Sequence, residues 1–165
     1  MLSHVHVGVS DFARGYAFYA GIMEELGYAL KFSKPDKSWA GWMQAGVARP
    51  LFLVGRPYDG KAATPGNGQM VALLAPDRSI VDRCYTRAIS SGGQDEGAPA
   101  LRPHYHPDYY GCYFRDPDGN KICVCCHDPI SDGCDNEFWP SSADEYWPTS
   151  RCVTGWPGPR PRPAG

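Results

Sequence analysis

The 165-residue chain predicts an α+β fold built from one module written twice, and three observations predict it. Two short apolar runs, His4 to Ser10 and Met70 to Pro76, each end at an aspartate, Asp11 and Asp77, seven residues from where they begin. A helix-period pattern follows each aspartate and stops at a glycine, Gly27 and Gly93, sixteen residues further on. Short strand-like runs then follow each helix. Matching spacing of helix start and stop in both copies is a repeat signature rather than a coincidence of composition.

The elements follow in order. His4-Val5-His6-Val7-Gly8 alternates like a strand, and Asp11 can accept the free amides of the first helical turn. Phe12, Tyr16, Tyr19, Met23 and Leu26 then recur at helical spacing, and Gly27 can take the left-handed conformation that closes a helix. Strands are expected over Tyr28 to Phe32, Ser38 to Met43 and Leu51 to Val54. A Gly- and Pro-rich loop, Tyr58 to Gly68, separates the copies. In the second copy Ile80, Val81, Cys84 and Ala88 mark the helix, and Gly93 is its expected terminator. Strands are expected around Gln94 to Glu96, where the pattern is weak, then over Tyr109 to Arg115 and Lys121 to His127. Asp116-Pro117-Asp118-Gly119 joins the last two and is strong turn chemistry. The order is βαβββ twice.

Hydrophobic residues make up 42% and charged residues 21% of the chain, enough for a true core. The net charge of −2 comes without a basic run, so a nucleic-acid partner is not expected. No apolar stretch is long enough to span a membrane. The first residues enter a strand directly rather than a secretory leader. Seven cysteines are therefore read as reduced thiols in a cytoplasmic protein.

With a histidine on the first strand, a second copy of the module and a closing Asp116-Pro117-Asp118-Gly119-Asn120 hairpin, the chain resembles the vicinal-oxygen-chelate (glyoxalase/bleomycin-resistance/dioxygenase-like) superfamily. The segment Leu101-Arg102-Pro103-His104-Tyr105-His106-Pro107-Asp108-Tyr109-Tyr110 belongs to the same likeness. The resemblance spans residues 1–127, with one module over about 1–56 and the other over about 69–127. It implies that the strands curl into a cup-shaped, partly open barrel around a divalent metal and a small substrate. The ligand positions it implies are His4, Met70 and Cys123. Relatives carry a second histidine and a glutamate at the last two, and the fourth-strand positions Leu51 and Leu53 offer no ligand atom. Imidazole, thioether and thiolate suit a soft ion such as Cu⁺, or Zn²⁺, better than Mg²⁺ or Mn²⁺. The cofactor is thus unknown and metal dependence is doubtful. The resemblance also allows a homodimer.

Other residues are candidates by type and place. His104, His106 and Tyr109 lie in a proline-flanked loop, where imidazole can move protons near neutral pH and a phenol can donate to an oxyanion. Tyr110, Arg56 and Arg102 are candidates to contact substrate, the arginines by pairing with a carboxylate or enolate. Trp39 and Trp42 are further substrate-binding candidates; three apart on a strand, they face opposite sides, so one is expected to line the cup and the other to pack or face a dimer partner. Cys123, Cys125 and His127 share one face, as do His4 and His6; the plainer alternative is that the cysteines are small core hydrophobes. Residues 128–165 carry Trp139-Pro140, Trp147-Pro148 and Trp156-Pro157, read as a C-terminal strap with a frayed tail.

Three functions follow. The first is a glyoxalase-like enzyme of lyase, isomerase or dioxygenase type acting on a small oxygen-bearing metabolite. The alternative is a non-catalytic small-molecule or antibiotic binding protein of the bleomycin-resistance type. A thiol-based metal or redox role for Cys123 and Cys125 is a third.

Overall fold

The computed structural model describes residues 2–129, so the Trp-Pro segments expected to form a strap lie outside the described residues. The element order is β1 (His4–Gly8), α1 (Phe12–Glu25), β2 (Tyr28–Lys34), a short 3₁₀ turn (Pro35–Lys37), β3 (Trp39–Gln44) and β4 (Leu51–Gly55). The second module repeats it as β5 (Val71–Leu74), α2 (Arg78–Ser90), β6 (Gln94–Leu101), β7 (Tyr110–Arg115) and β8 (Lys121–Cys126). Two four-stranded mixed sheets result, ordered β1-β4-β3-β2 and β5-β8-β7-β6. In each, the first strand runs parallel to the last and the other pairings are antiparallel. The sheets stay open rather than closing into a barrel.

The caps work as the aspartates suggest. Asp11 accepts from the Arg14 amide at 3.1 Å, and Asp77 accepts from the Ile80 amide at 2.9 Å. The helix ends differ in one detail. Gly27 has a positive φ of 72°, but in α2 the left-handed residue is Gly92 (φ 90°) rather than Gly93. Gly93 instead donates its amide to the Ala88 carbonyl at 2.9 Å, which completes a Schellman-type closure. Its small size still matters, because a Cβ there would stand 2.8 Å from that carbonyl oxygen.

β6 is longer than its sequence suggests. Gln-Asp-Glu-Gly-Ala-Pro-Ala-Leu has no β-branched residue, yet all eight form an edge strand on β7. Edge position tolerates Pro99, and register shifts beside Gly97 (φ 154°) absorb the irregularity.

Both helices pack on one side of the sheets. Val7, Phe52, Val54, Ala40 and Trp42 from the first sheet, and Leu73, Ile122, Val124, Cys112 and Phe114 from the second, join Phe18, Tyr19, Ile22, Val81 and Cys84 in one core. The helices also meet, through an Arg83–Glu25 ion pair of 2.9 Å and the Cys84 thiol at 3.9 Å from the Ile22 carbonyl. Strand alternation then sends His4, His6, Leu53, Cys123, Cys125, Tyr113 and Arg115 to the opposite, open face.

The Asp116–Asn120 hairpin is more than a turn, since it fastens one module to the other. Buried Asp116 accepts from the Tyr19 hydroxyl at 2.7 Å, and Asn120 Nδ2 donates to the Gly8 carbonyl at 2.8 Å. Asp118 accepts from the Ser10 amide at 3.0 Å and pairs with Arg14 at 3.3 Å. No helix among the described residues is long and apolar enough to cross a membrane.

Candidate active site

Each module opens a cavity on its open face. The first, of about 520 Å³, is lined by His4, His6, Gly8, Trp39, Leu53, Arg56 and Tyr58 among others. Burial, reinforced by the charge of His4, pulls the His6 pKa down. Trp39 packs edge-on to Phe32 at 4.6 Å, and Arg56 donates to the Gly60 carbonyl at 3.5 Å. Trp42 lies on the other side of the same strand, 2% exposed and stacked on Tyr16 at 5.5 Å. Alternation therefore leaves Trp39 as the one expected tryptophan facing a cavity.

The second cavity, of about 1040 Å³, is the larger. It runs from the loop Pro65–Met70 across β6 and β7 to Lys121, with His104 and Tyr105 on its wall. Among the described residues its charged lining is three cations, Arg102, Arg115 and Lys121, against one carboxylate, Glu96. The cations gather around Tyr113, with the Arg102 guanidinium and the Lys121 ammonium each 5.7 Å from its ring centre. Glu96 bonds to Arg115 and Lys121, and the Arg115 hydrogen bond first, then Lys121, holds its carboxyl below the usual range. Arg102 spends one hydrogen bond on the Ala98 carbonyl at 3.0 Å. His104 stacks against Tyr105 at 4.2 Å.

Beside this cavity lies a cluster of sulfur, imidazole and phenol groups. Tyr109 Oη is 3.5 Å from Cys123 Sγ and 3.4 Å from Tyr113 Oη. His127 Nε2 is 3.7 Å from Cys125 Sγ, and its Nδ1 is 2.6 Å from His106 Nε2. Burial first, then the Cys123 contact, pushes the Tyr109 phenol far up, so it remains a donor. Within the dithiol the two groups move apart. The hydrogen bond between them, which raises Cys123, lowers Cys125, and contacts from Tyr109 and His127 pull Cys125 down further.

The sequence-predicted positions thus separate into groups. His104 and Arg102 share the large cavity, whereas His106 and Tyr109 join the sulfur cluster. His4, Trp39 and Arg56 belong to the small cavity. Tyr110 turns to the helix side, where its hydroxyl donates to Asp82 at 2.8 Å and Arg78 covers its ring; burial and Asp82 push its pKa up to about 12. The implied ligands His4, Met70 and Cys123 differ in surroundings, His4 lining the small cavity. Met70 is 46% exposed at the edge of the large cavity, and Cys123 is fully buried against Tyr109. Among the described residues no three His, Cys, Asp or Glu side chains are placed to hold an ion. The donor set does not fit the family's divalent metal, which needs converging oxygen and imidazole donors. Tyr113, Arg115 and Lys121, which the sequence did not single out, carry much of the large cavity, and Cys125 and His127, expected only to share a face, carry much of the sulfur cluster. The signal for them was the alternation along β7 and β8, which places 113 and 115, and 121 to 127 by twos, on one face.

The family model described as Glyoxalase/Bleomycin resistance protein/Dioxygenase superfamily matches residues 1–124. The chain belongs to this superfamily. The vicinal-oxygen-chelate fold is shared with a glyoxalase/bleomycin resistance protein from Albidiferax ferrireducens T118, at 32% identity and a TM-score of 0.69. That match covers 76% of this chain and 98% of the other. A glyoxalase-related enzyme from Fulvimarina pelagi (20% identity, TM-score 0.57, covering 76% and 87%) shares the fold. So does a putative glyoxalase from Bacillus halodurans (19%, 0.57, covering 76% and 95%). No curated protein matches the chain.

Proposed function

We propose that this vicinal-oxygen-chelate domain is an enzyme of lyase or isomerase type acting on a small oxygen-bearing carboxylate in the larger cavity. The observation that carries the reading is the charge balance there: among the described residues that line it, Arg102, Arg115 and Lys121 meet one carboxylate, Glu96. A cavity with surplus cations on aromatic walls favours an anionic metabolite, and a guanidinium is well suited to grip a carboxylate. Arg102 and Lys121 hold the carboxylate. The Tyr113 hydroxyl faces the oxygen that gains charge, and burial raises its pKa, so it stays a donor. His104, on the same wall, moves the proton next to the carbonyl.

A panel of 2-oxo and 2-hydroxy carboxylates followed by proton NMR tests the reading. Turnover of at least one is expected, lost by roughly 10²-fold or more in His104→Ala. Arg102→Gln or Lys121→Gln should raise KM about tenfold or more, the loss of one charge-assisted hydrogen bond worth ~1.5–3 kcal/mol. Full activity in all three variants would rule out this site.

A further inference from the structure

The sulfur cluster meets the large cavity at Tyr113, but its cysteines, His106 and His127 lie outside that cavity's lining and have their own chemistry. Cys123 and Cys125 project from β8 to the open face, and the side chain of Cys125 has room because its neighbour on β7 is Gly111. A Cβ at residue 111 would stand 3.2 Å from Cys125 Cβ and 3.0 Å from the Tyr109 ring. The hydrogen bonds fix which nitrogen carries each proton. The Asp108 amide donates to His106 Nδ1 at 3.3 Å, so a neutral His106 is protonated on Nε2. That Nε2–H points at His127 Nδ1, 2.6 Å away, which makes Nδ1 the acceptor. His127 therefore carries its own proton on Nε2, the nitrogen 3.7 Å from Cys125 Sγ. A backbone amide thus sets a chain of two imidazoles that ends with an N–H aimed at sulfur. The Tyr109 phenol, held protonated by burial and its Cys123 contact, and the Cys123 thiol, held protonated by its Cys125 contact and burial, stand beside it as further donors. Sulfur ringed by donors is stabilised as thiolate, the nucleophilic form.

We propose that Cys125, held by His127 and His106, is a nucleophilic thiolate that adds to small α,β-unsaturated carbonyl compounds. In that step a bond forms between Sγ and the β-carbon as the C=C π pair shifts toward the carbonyl. The enolate then takes one proton from water at the α-carbon, and no oxidant or leaving group is required. The Tyr109–Tyr113 hydroxyl pair supplies donors for the carbonyl oxygen as charge builds on it. Cys125 is 5% exposed, which restricts access to small, flat molecules. The other four described thiols differ. Burial pushes Cys84 and Cys112 up to about 12, and Cys126 faces the helix-side core.

The test is native labelling of the full chain with N-ethylmaleimide, a small unsaturated dicarbonyl, mapped by peptide mass spectrometry from pH 5 to 9. Among Cys84, Cys112, Cys123, Cys125 and Cys126, the Cys125 peptide should be modified fastest, with a rate midpoint below that of free cysteine. His127→Ala, a change at an exposed residue, should slow Cys125 at least tenfold at pH 7 and move the midpoint up by a unit or more. His106→Ala should act in the same direction more weakly. If Cys126 or Cys123 reacts first in the unaltered chain, or the His127→Ala midpoint does not move, the proposal is wrong. Because Cys125 does not line the large cavity, Cys125→Ser should leave carboxylate binding there unchanged, so this site and the proposed activity can fail separately.

Discussion

Asp116 is 3% exposed, and its carboxylate accepts from the Tyr19 hydroxyl, the Asn120 side chain and the amides of Asp118 and Asn120. Burial and then Asp116 push the Tyr19 pKa well up, so the phenol stays a donor at any working pH. Removing the carboxylate strands several buried donors at once, which costs more than the loss of one bond. Asp116→Ala should destabilise the domain by about 3 kcal/mol, and Tyr19→Phe by about 1 kcal/mol, read from urea unfolding. An Asp116→Ala variant within 0.5 kcal/mol of the unaltered chain, about the scatter of surface changes, would show that the clasp contributes nothing. In the sequence this residue reads only as the start of a turn. Its partner Tyr19 is 97 positions away, and no local pattern announces it.

At the scale of elements, helices were legible to within a residue or two because their signals are local: an acceptor before the first turn, a 3.6-residue period, a glycine after the last. β6 was not, because its pairing with β7 rather than its own residues makes it a strand. The α2 cap carries a pH signature. Burial alone would raise the Asp77 carboxyl, but hydrogen bonds from the Ser79 hydroxyl and the Ile80 and Ser79 amides, with Arg83 nearby, bring it below its ordinary 3.8. A carboxyl depressed by folding stabilises the fold fully above its ordinary pKa, and that contribution disappears as pH falls through the lower value. Asp77→Ala should therefore cost about 1 kcal/mol at neutral pH, with the gap to the unaltered chain closing below about pH 4. A gap that stays constant into acid would mean the cap acts through its shape rather than its charge.

Over the whole molecule, the repeat makes two similar sheets but not two similar cavities. The first copy brings His4, His6 and Trp39 to its open face, whereas the second brings Tyr113, Arg115, Lys121 and the cysteines. The sequence showed the duplication and the candidate histidines. It did not show which of them would meet, because His104 and His106, two residues apart, part company: one faces the large cavity and the other turns to His127. The central claim is that ligand chemistry has moved to the second module's cationic cavity. The direct test is a ¹H–¹⁵N NMR titration of the full chain with pyruvate and 2-oxoglutarate. Saturable shifts confined to Gly97, Arg102, Tyr113 and Lys121, lost in Lys121→Gln, are the predicted result. Shifts centred on His4, His6 and Trp39, or none at millimolar ligand, would contradict it.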